Sequence, residues 1–188
     1  MKQNVIALFG INGVGKSTIA HALHETIFGS VMLSGSELLM HSFKGLNREQ
    51  LEMLSPEEKM RMLESAFLDA FEQNREAKLI ILDTHLVVTI RKNGKLILEN
   101  VWSERFSPYS NFVFFISSNP MEILQRRMRD SRISGRRRDL DVEHIRVDQT
   151  INLSVFEETF SETKKSHVIP NEESHMEDTV TSIRRAIS

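Results

Sequence analysis

The sequence predicts an α/β protein in which a five-stranded parallel sheet is covered by helices on both faces. Apolar runs of strand length, at 5–9, 31–33, 79–82, 112–116 and 167–170, are almost free of polar residues, as expected of strands buried on both faces. Segments with apolar residues three or four positions apart lie between them, which is the spacing of a helix face. A glycine-rich segment joins the first strand to the first helix.

Composition limits the class of protein. The chain has 188 residues, enough for one sizeable core, so we expect a single domain over 1–188. A net charge of −2 argues against binding to nucleic acid or membranes through overall charge, and the lack of cysteine excludes disulfides and thiolate chemistry. The apolar runs are too short to span a membrane, and the first ten residues leave no room for a signal peptide, so we expect a cytoplasmic protein.

The glycine-rich segment fits the pattern Gly, four residues, Gly, Lys, Ser/Thr. In such a loop, backbone N–H groups converge on phosphate oxygens at a helix N-terminus. A lysine adds a cation for the outer phosphates, and the hydroxyl after it can ligate Mg²⁺. The candidate nucleotide-binding residues are Gly10, Asn12, Gly13, Val14, Gly15, Lys16, Ser17 and Thr18.

The strand at 79–82 delivers Asp83, Thr84 and His85 at its carboxyl end, where ligands bind in open α/β sheets. A carboxylate there can hold a water of the Mg²⁺ shell or orient an acceptor hydroxyl. The alternative is that Asp83 caps the following loop. For His85, contact with substrate and a structural hydrogen-bonded role both stay open.

Capping residues and turns define the elements around these candidates. Ser55 opens a helix that should end near Asn74, and Asp141 caps a long helix predicted to reach about Lys164. Asn93-Gly94 between two aliphatic runs predicts a β-hairpin, which would form a flap at about 86–99 beside Asp83.

Seven arginines lie within thirteen residues of the chain. Arg126 and Arg129 are one helical turn apart and can face one ligand, whereas Arg136 and Arg138 lie around a predicted loop with Gly135 and could close as a lid at about 130–140. Arginines of this kind stabilise the charge of a transferred phosphoryl group. The alternative is a basic patch that binds RNA or an acidic partner.

Together these motifs resemble the P-loop nucleoside monophosphate kinases, in particular the archaeal-type adenylate kinases. The likeness covers nearly the whole chain and is carried by 10–18, Leu54-Ser55, 81–85, Asn119-Pro120, Ile123-Leu124 and the arginines with Asp130 and Asp139. The resemblance implies the P-loop NTPase three-layer fold with strand order 2-3-1-4-5 and an acceptor-binding insertion at about 34–75. It also implies ATP and Mg²⁺ as cosubstrates, with Arg126, Arg129, Arg136 and Arg138 around the transferred group.

We therefore predict an ATP-dependent phosphotransferase whose small acceptor is a nucleoside monophosphate. Lys16, Asp83 and the four arginines would be catalytic, and Ser17 and Asp83 would hold Mg²⁺, Asp83 through water. Candidate acceptor-binding residues are Ser36, Arg48, Thr84, His85 and Arg91. Glu52 stands where the resembled family tends to have an arginine, and the hairpin replaces a family segment, so a kinase for another small metabolite stays open. A nucleotide-binding module without kinase activity and the formation of a homo-oligomer stay open as well.

Overall fold

The computed structural model describes residues 4–44, 50, 54–106, 108–134, 139–163, 165–172 and 175–188. Seven strands are present in these ranges: β1 (Val5–Phe9), β2 (Ser30–Ser34), β3 (Leu79–Asp83), β4 (Val87–Lys92), β5 (Lys95–Asn100), β6 (Ser110–Ser117) and β7 (Ser166–Pro170). The helices in the same ranges are α1 (Lys16–Thr26), α2 (Gly35–Ser42), α3 (Pro56–Gln73), α4 (Pro120–Ser134), α5 (Val142–Thr159) and α6 (Met176–Ile187), with a 3₁₀ turn at Glu104–Phe106.

The central sheet has five parallel strands in the order β2-β3-β1-β6-β7. When only these five strands are counted along the chain, this is the expected order 2-3-1-4-5. The strands β4 and β5 form a separate two-stranded antiparallel sheet. The predicted α/β architecture is therefore confirmed.

Each face of the sheet has its own hydrophobic core, because successive side chains of a strand point to opposite faces. Ile6 and Leu8 of β1 pack in one core with residues of α1, α4 and α6. Val5, Ala7 and Phe9 pack in the other core with residues of α3, the 3₁₀ turn and α5. All five are at most 1% exposed, which explains why the first strand shows no polar alternation.

Two predicted helix starts are confirmed by their caps. The Ser55 hydroxyl accepts a hydrogen bond from the Glu58 N–H while the Glu58 carboxylate accepts one from the Ser55 N–H, which is a complete capping box. The Asp141 carboxylate accepts from the N–H groups of Glu143 and His144. The expected end of this helix near Lys164 was wrong: α5 ends at Thr159, because the chain turns there to enter β7.

The predicted hairpin is also present. Asn93 and Gly94 both have positive φ, 53° and 72°, as a two-residue turn matched to the twist of its strands requires. The N–H groups of Val101 and Trp102 donate to the carbonyl of Leu86 and close the base of the hairpin. Its role as a flap, and that of 34–75 as an acceptor-binding insertion, stay predictions. Among the described residues, no helix has the length and apolarity needed to cross a membrane.

Candidate active site

The glycine-rich loop lies between β1 and α1, at the carboxyl edge of the sheet. Gly10 has φ 141°, and a Cβ there would lie 2.5 Å from the carbonyl oxygen of Ile116 in the neighbouring strand. Gly15 has φ 96°, and a Cβ there would overlap the side-chain amide of Asn171. A residue with a side chain would therefore be strained and crowded at either position.

Lys16 is the first residue of α1 and is only 6% exposed. Its Nζ donates hydrogen bonds to the carbonyls of Gly10, at 2.8 Å, and Ile11, at 3.2 Å. These bonds curl the side chain back across the loop, so the ammonium group lies where the loop N–H groups and the α1 dipole also concentrate positive potential. This arrangement favours the binding of an anion.

Ser17 and Asp83 meet because β1 and β3 are parallel neighbours, with Leu8 opposite Asp83. The Ser17 hydroxyl donates to Oδ2 of Asp83 at 2.5 Å. Hydroxyl and carboxylate oxygens suit Mg²⁺, which usually takes one or two protein ligands together with substrate phosphates and water. No group of three His, Asp or Glu side chains that could hold a metal occurs in the described part of the chain. The pair thus fits Mg²⁺ bound with a nucleotide better than a metal held by the protein alone.

A cavity of about 540 Å³ opens above this pair and is called here the first cavity. It brings together the loop, the end of β3, the start of α2 and the exposed side of α4. Its lining residues are Asn12, Gly13, Gly15, Lys16, Ser17, Thr18, Ser36, Asp83, Thr84, His85, Arg126, Arg129, Asp130 and Ile133. A volume of this size lies in the usual range of small-molecule sites.

Arg126 is fixed against the loop rather than extended into solvent. Its Nη1 donates to the carbonyl of Val14 at 3.0 Å, and its Nη2 donates to the carbonyl of Asn171 and the carboxylate of Glu122, both at 3.0 Å. Arg129 lies one turn further along α4 and lines the first cavity as well. Arg126 and Arg129 therefore border the same ligand-sized space.

A second cavity, of about 350 Å³, lies beside the first and shares Asn12 and His85 with it. Its walls come from the loop, the hairpin strand β4, α4 and α5. The lining residues are Ile11, Asn12, His85, Val87, Val88, Thr89, Arg91, Arg127, Asp139, Asp148 and Asn152.

Arg91 lies in this second cavity, not in the first. Its two terminal nitrogens donate to the Asp148 carboxylate at 2.7 and 3.3 Å, and Nη1 lies 3.6 Å from Oδ2 of Asp139. The hydrogen bond to Asp148 raises the pKa of Arg91. Burial acts to raise the pKa of Asp139, but hydrogen bonds from the Asp141 N–H and from His144, with the charges of His144 and Arg91, outweigh it and lower that pKa.

The structure thus places most of the predicted site residues around the first cavity and one of them, Arg91, in the second cavity. Ser36, Thr84 and His85 line the first cavity with the loop residues, whereas Arg91 is ion-paired beyond His85. Arg48, Arg136 and Arg138 fall outside the described residues, as does Glu52. The catalytic, acceptor-binding and Mg²⁺ roles of all these residues stay predictions.

Sequence reasoning missed two side chains that shape the loop. Arg127 is 4% exposed and donates from Nε to the carbonyl of Asn12 at 3.0 Å. Asn171 follows β7, is 4% exposed and donates to the carbonyl of Val14 at 2.7 Å. Arg127 could have been found because it lies four residues after Ile123 on the buried face of α4. Asn171 could have been found because polar residues at the carboxyl ends of parallel strands face the ligand edge.

Fold and site together define the class of protein. A glycine loop after the first strand of a five-stranded parallel sheet, a carboxylate at the end of the adjacent β3 and arginines on the helix after β6 are the parts of a P-loop kinase.

Comparison with known proteins gives the family. Residues 9–146 match the AAA domain family. The chain is 32% identical over 144 residues to an adenylate kinase of Pyrococcus abyssi, covering 74% of this chain and 69% of the relative. It is 29% identical over 153 residues to an adenylate kinase of Methanocaldococcus jannaschii, covering 75% and 74%. The chain therefore belongs to the AAA domain family and to the family of P-loop kinases that these archaeal adenylate kinases represent.

A solved structure extends the likeness in fold to nearly the whole chain. Shikimate kinase from Bacteroides thetaiotaomicron superposes with a TM-score of 0.61 over 98% of both chains, at 10% identity. At this identity the likeness concerns the fold alone.

Proposed function

We propose that this protein transfers the γ-phosphate of ATP to a nucleoside monophosphate. The observation that carries the proposal is the contact of Ser17 with Asp83 beneath Arg126 and Arg129, next to the buried Lys16. This set offers oxygen ligands for Mg²⁺ and cations for a transferring phosphoryl group in one space. Its relatives named adenylate kinase favour a nucleoside monophosphate as the acceptor.

The roles follow from charge and position. Lys16 and the loop N–H groups would bind the outer phosphates of ATP, while Arg126 and Arg129 would neutralise charge that develops on the transferred group. Ser17, and Asp83 through water, would hold Mg²⁺, which would supply electrostatic stabilisation of the phosphate charge. Thr84 and His85 would orient the acceptor. Positioning and electrostatics are sufficient for this chemistry, so a covalent protein nucleophile is not needed.

A hydroxylated small metabolite is the second candidate acceptor. The specific observation is that Arg91, the basic side chain nearest the acceptor side after β3, is paired with Asp148 and lies close to Asp139. Two carboxylates around one guanidinium disfavour a second anion there.

An acceptor panel tests the proposal. ADP formation from MgATP is measured with each nucleoside monophosphate and with uncharged polyols and hydroxy acids. We expect stimulation by at least one monophosphate and a loss of about 100-fold or more in Lys16→Met, since preorganised charge of this kind is worth several kcal/mol in the transition state. Lys92→Met changes an exposed lysine in the hairpin, outside both cavities, and is the matched control. Stimulation by metabolites and by no monophosphate would select the second candidate, and near-normal turnover of Lys16→Met would refute the site.

A further inference from the structure

One wall of the second cavity includes a side chain whose buried acceptor atom lacks a partner in the described part of the chain. Asn152 of α5 lines this cavity and is 1% exposed. Its Nδ2 donates to the carbonyl of Asp148 at 2.9 Å, which fixes the orientation of the amide. Its Oδ1 is buried and has no hydrogen-bond partner among the residues that the structure describes. A buried acceptor in this state destabilises the fold, and a donor bound in the cavity would remove that cost.

The charges of the second cavity balance. Arg91 is paired with Asp148 and close to Asp139, and Arg127 donates to the backbone carbonyls of Asn12 and Asp139. Two guanidinium groups therefore face two carboxylates, and the remaining walls include the apolar side chains of Ile11, Val87 and Val88. An added phosphate would gain little there and would meet two carboxylates. An uncharged ring with an N–H or O–H donor matches the walls better.

The position of the second cavity links it to phosphoryl transfer. Asn12 and His85 form the boundary with the first cavity, and His85 lies two residues after Asp83. A molecule bound in the second cavity is therefore adjacent to the site of Ser17 and Asp83. The charged side chains that line the first cavity are Lys16, Arg126 and Arg129 and the carboxylates Asp83 and Asp130.

We propose that the second cavity binds the uncharged body of the phosphoryl acceptor, whose N–H or O–H donates to Oδ1 of Asn152. The reacting end of the acceptor then lies in the first cavity. This inference rests on the proposed kinase function. It adds the location at which the acceptor is recognised and the side-chain atom that recognises it. A nucleobase and a polyol ring could both supply the donor, and the experiment separates them.

The first test uses uncharged probes without ATP. Adenosine, uridine and myo-inositol are titrated into protein with labelled Ile and Val methyl groups. Val87, Val88 and Ile11 report on the second cavity, and Ile133 reports on the first. We expect saturable shifts at the reporters of the second cavity and none at Ile133. Shifts with the nucleosides alone assign a nucleobase, and shifts with inositol alone assign a polyol. No shift with any probe, or shifts only at Ile133, would overturn the proposal, with a water molecule then satisfying Oδ1.

Variants test the atom itself. Asn152→Leu keeps the number and branching of the side-chain heavy atoms but removes the acceptor oxygen together with the amide N–H, and it should weaken binding of the successful probe by about tenfold. Asn152→Asp keeps an acceptor oxygen and should bind the probe more tightly than Asn152→Leu. Ser154→Ala, an exposed change on the same helix, is the matched control. Val88→Phe fills the second cavity from the hairpin side, so it should abolish probe binding while MgATP binding is retained. This variant tests the proposal even if Asn152→Leu does not fold. Equal probe affinity in Asn152→Leu and the control would refute the role of Asn152.

Steady-state kinetics of phosphoryl transfer distinguish a failure of this inference from a failure of the proposed function. With AMP as acceptor, we expect Asn152→Leu to raise the KM for AMP about tenfold while kcat and the KM for ATP are kept. Transfer to AMP with an unchanged KM would overturn the inference and leave the kinase function standing. Probe binding in the second cavity without transfer to any acceptor would refute the proposed function and show that the cavity binds a ligand of another kind.

Discussion

Arg127 gives the sharpest prediction about how the loop is held in shape. Its buried guanidinium donates to the carbonyl of Asn12 at 3.0 Å and to that of Asp139 at 2.9 Å. One side chain therefore connects the glycine loop to the segment that follows the arginine cluster. Arg127→Met keeps much of the aliphatic stem, which packs beneath Gly13, and removes both donors.

The size of the effect follows from these two bonds. A hydrogen bond from a charged donor contributes about 1.5–3 kcal/mol, so the pair accounts for about 3–6 kcal/mol. Water that enters from the adjoining cavities can satisfy part of the freed carbonyls, so we expect a loss of about 3 kcal/mol in the free energy of unfolding. Asn12 also lines both cavities, and its displacement should raise the KM for ATP by about tenfold.

Urea unfolding, followed by circular dichroism, measures the stability of Arg127→Met against that of Arg132→Met. Arg132 lies on the same helix and is exposed, so its change removes an equal charge without these two bonds. Arg127→Lys keeps the charge but can reach fewer carbonyls, and it should fall between the wild type and Arg127→Met. Equal stability of Arg127→Met and Arg132→Met would refute the argument that Arg127 supports the loop.

Three further predictions concern the acidic side of the second cavity and the helix after it. Arg91→Met should lower the free energy of unfolding by about 3 kcal/mol because it leaves the 8%-exposed Asp148 carboxylate without its cation. In a double-mutant cycle measured by urea unfolding, adding Asp148→Asn should recover part of that loss. Asp141→Ala should cost about 1 kcal/mol by the same assay, since it removes the N-cap of α5. Because the pKa of Asp139 is lowered in the folded state, its stabilising effect should be complete above about pH 5 and be lost as the pH falls below about 3.9. Unfolding free energies of the wild type and Asp139→Asn that differ equally at pH 6 and pH 3 would contradict this assignment.

Local patterns account for the parts of the fold that the sequence predicted well. The strands are visible because burial on both faces removes polar residues from them, and the caps at Ser55 and Asp141 act over three residues. The contact of Ser17 with Asp83 followed from parallel neighbouring strands, whose carboxyl ends must meet at one edge. The strands and the caps depend on short-range rules, so a single sequence contains them, whereas the contact between Ser17 and Asp83, 66 positions apart, also needed the strand order that the family resemblance implied.

The polar contacts around the second cavity could not be predicted in the same way. Arg91 and Asp148 are 57 positions apart in the chain. No period or motif links such positions, and their pairing depends on where the hairpin rests on α5. Arg91 was predicted to bind the acceptor because it is basic and follows Asp83 in the chain. This criterion does not consider the carboxylates that another helix contributes to the same region.

The pairing of Arg91 changes where selectivity for the acceptor must reside. Because its guanidinium is held by Asp148, we expect positive charge for an acceptor phosphate to come from the cationic side chains that line the first cavity. On the proposal above, a nucleoside monophosphate would present its phosphate to the first cavity and its uncharged end to Asn152. A neutral metabolite would need the second cavity alone for recognition. Selectivity between the two classes would then depend on the cations around the first cavity, whereas selectivity within either class would depend on the donor that Asn152 accepts.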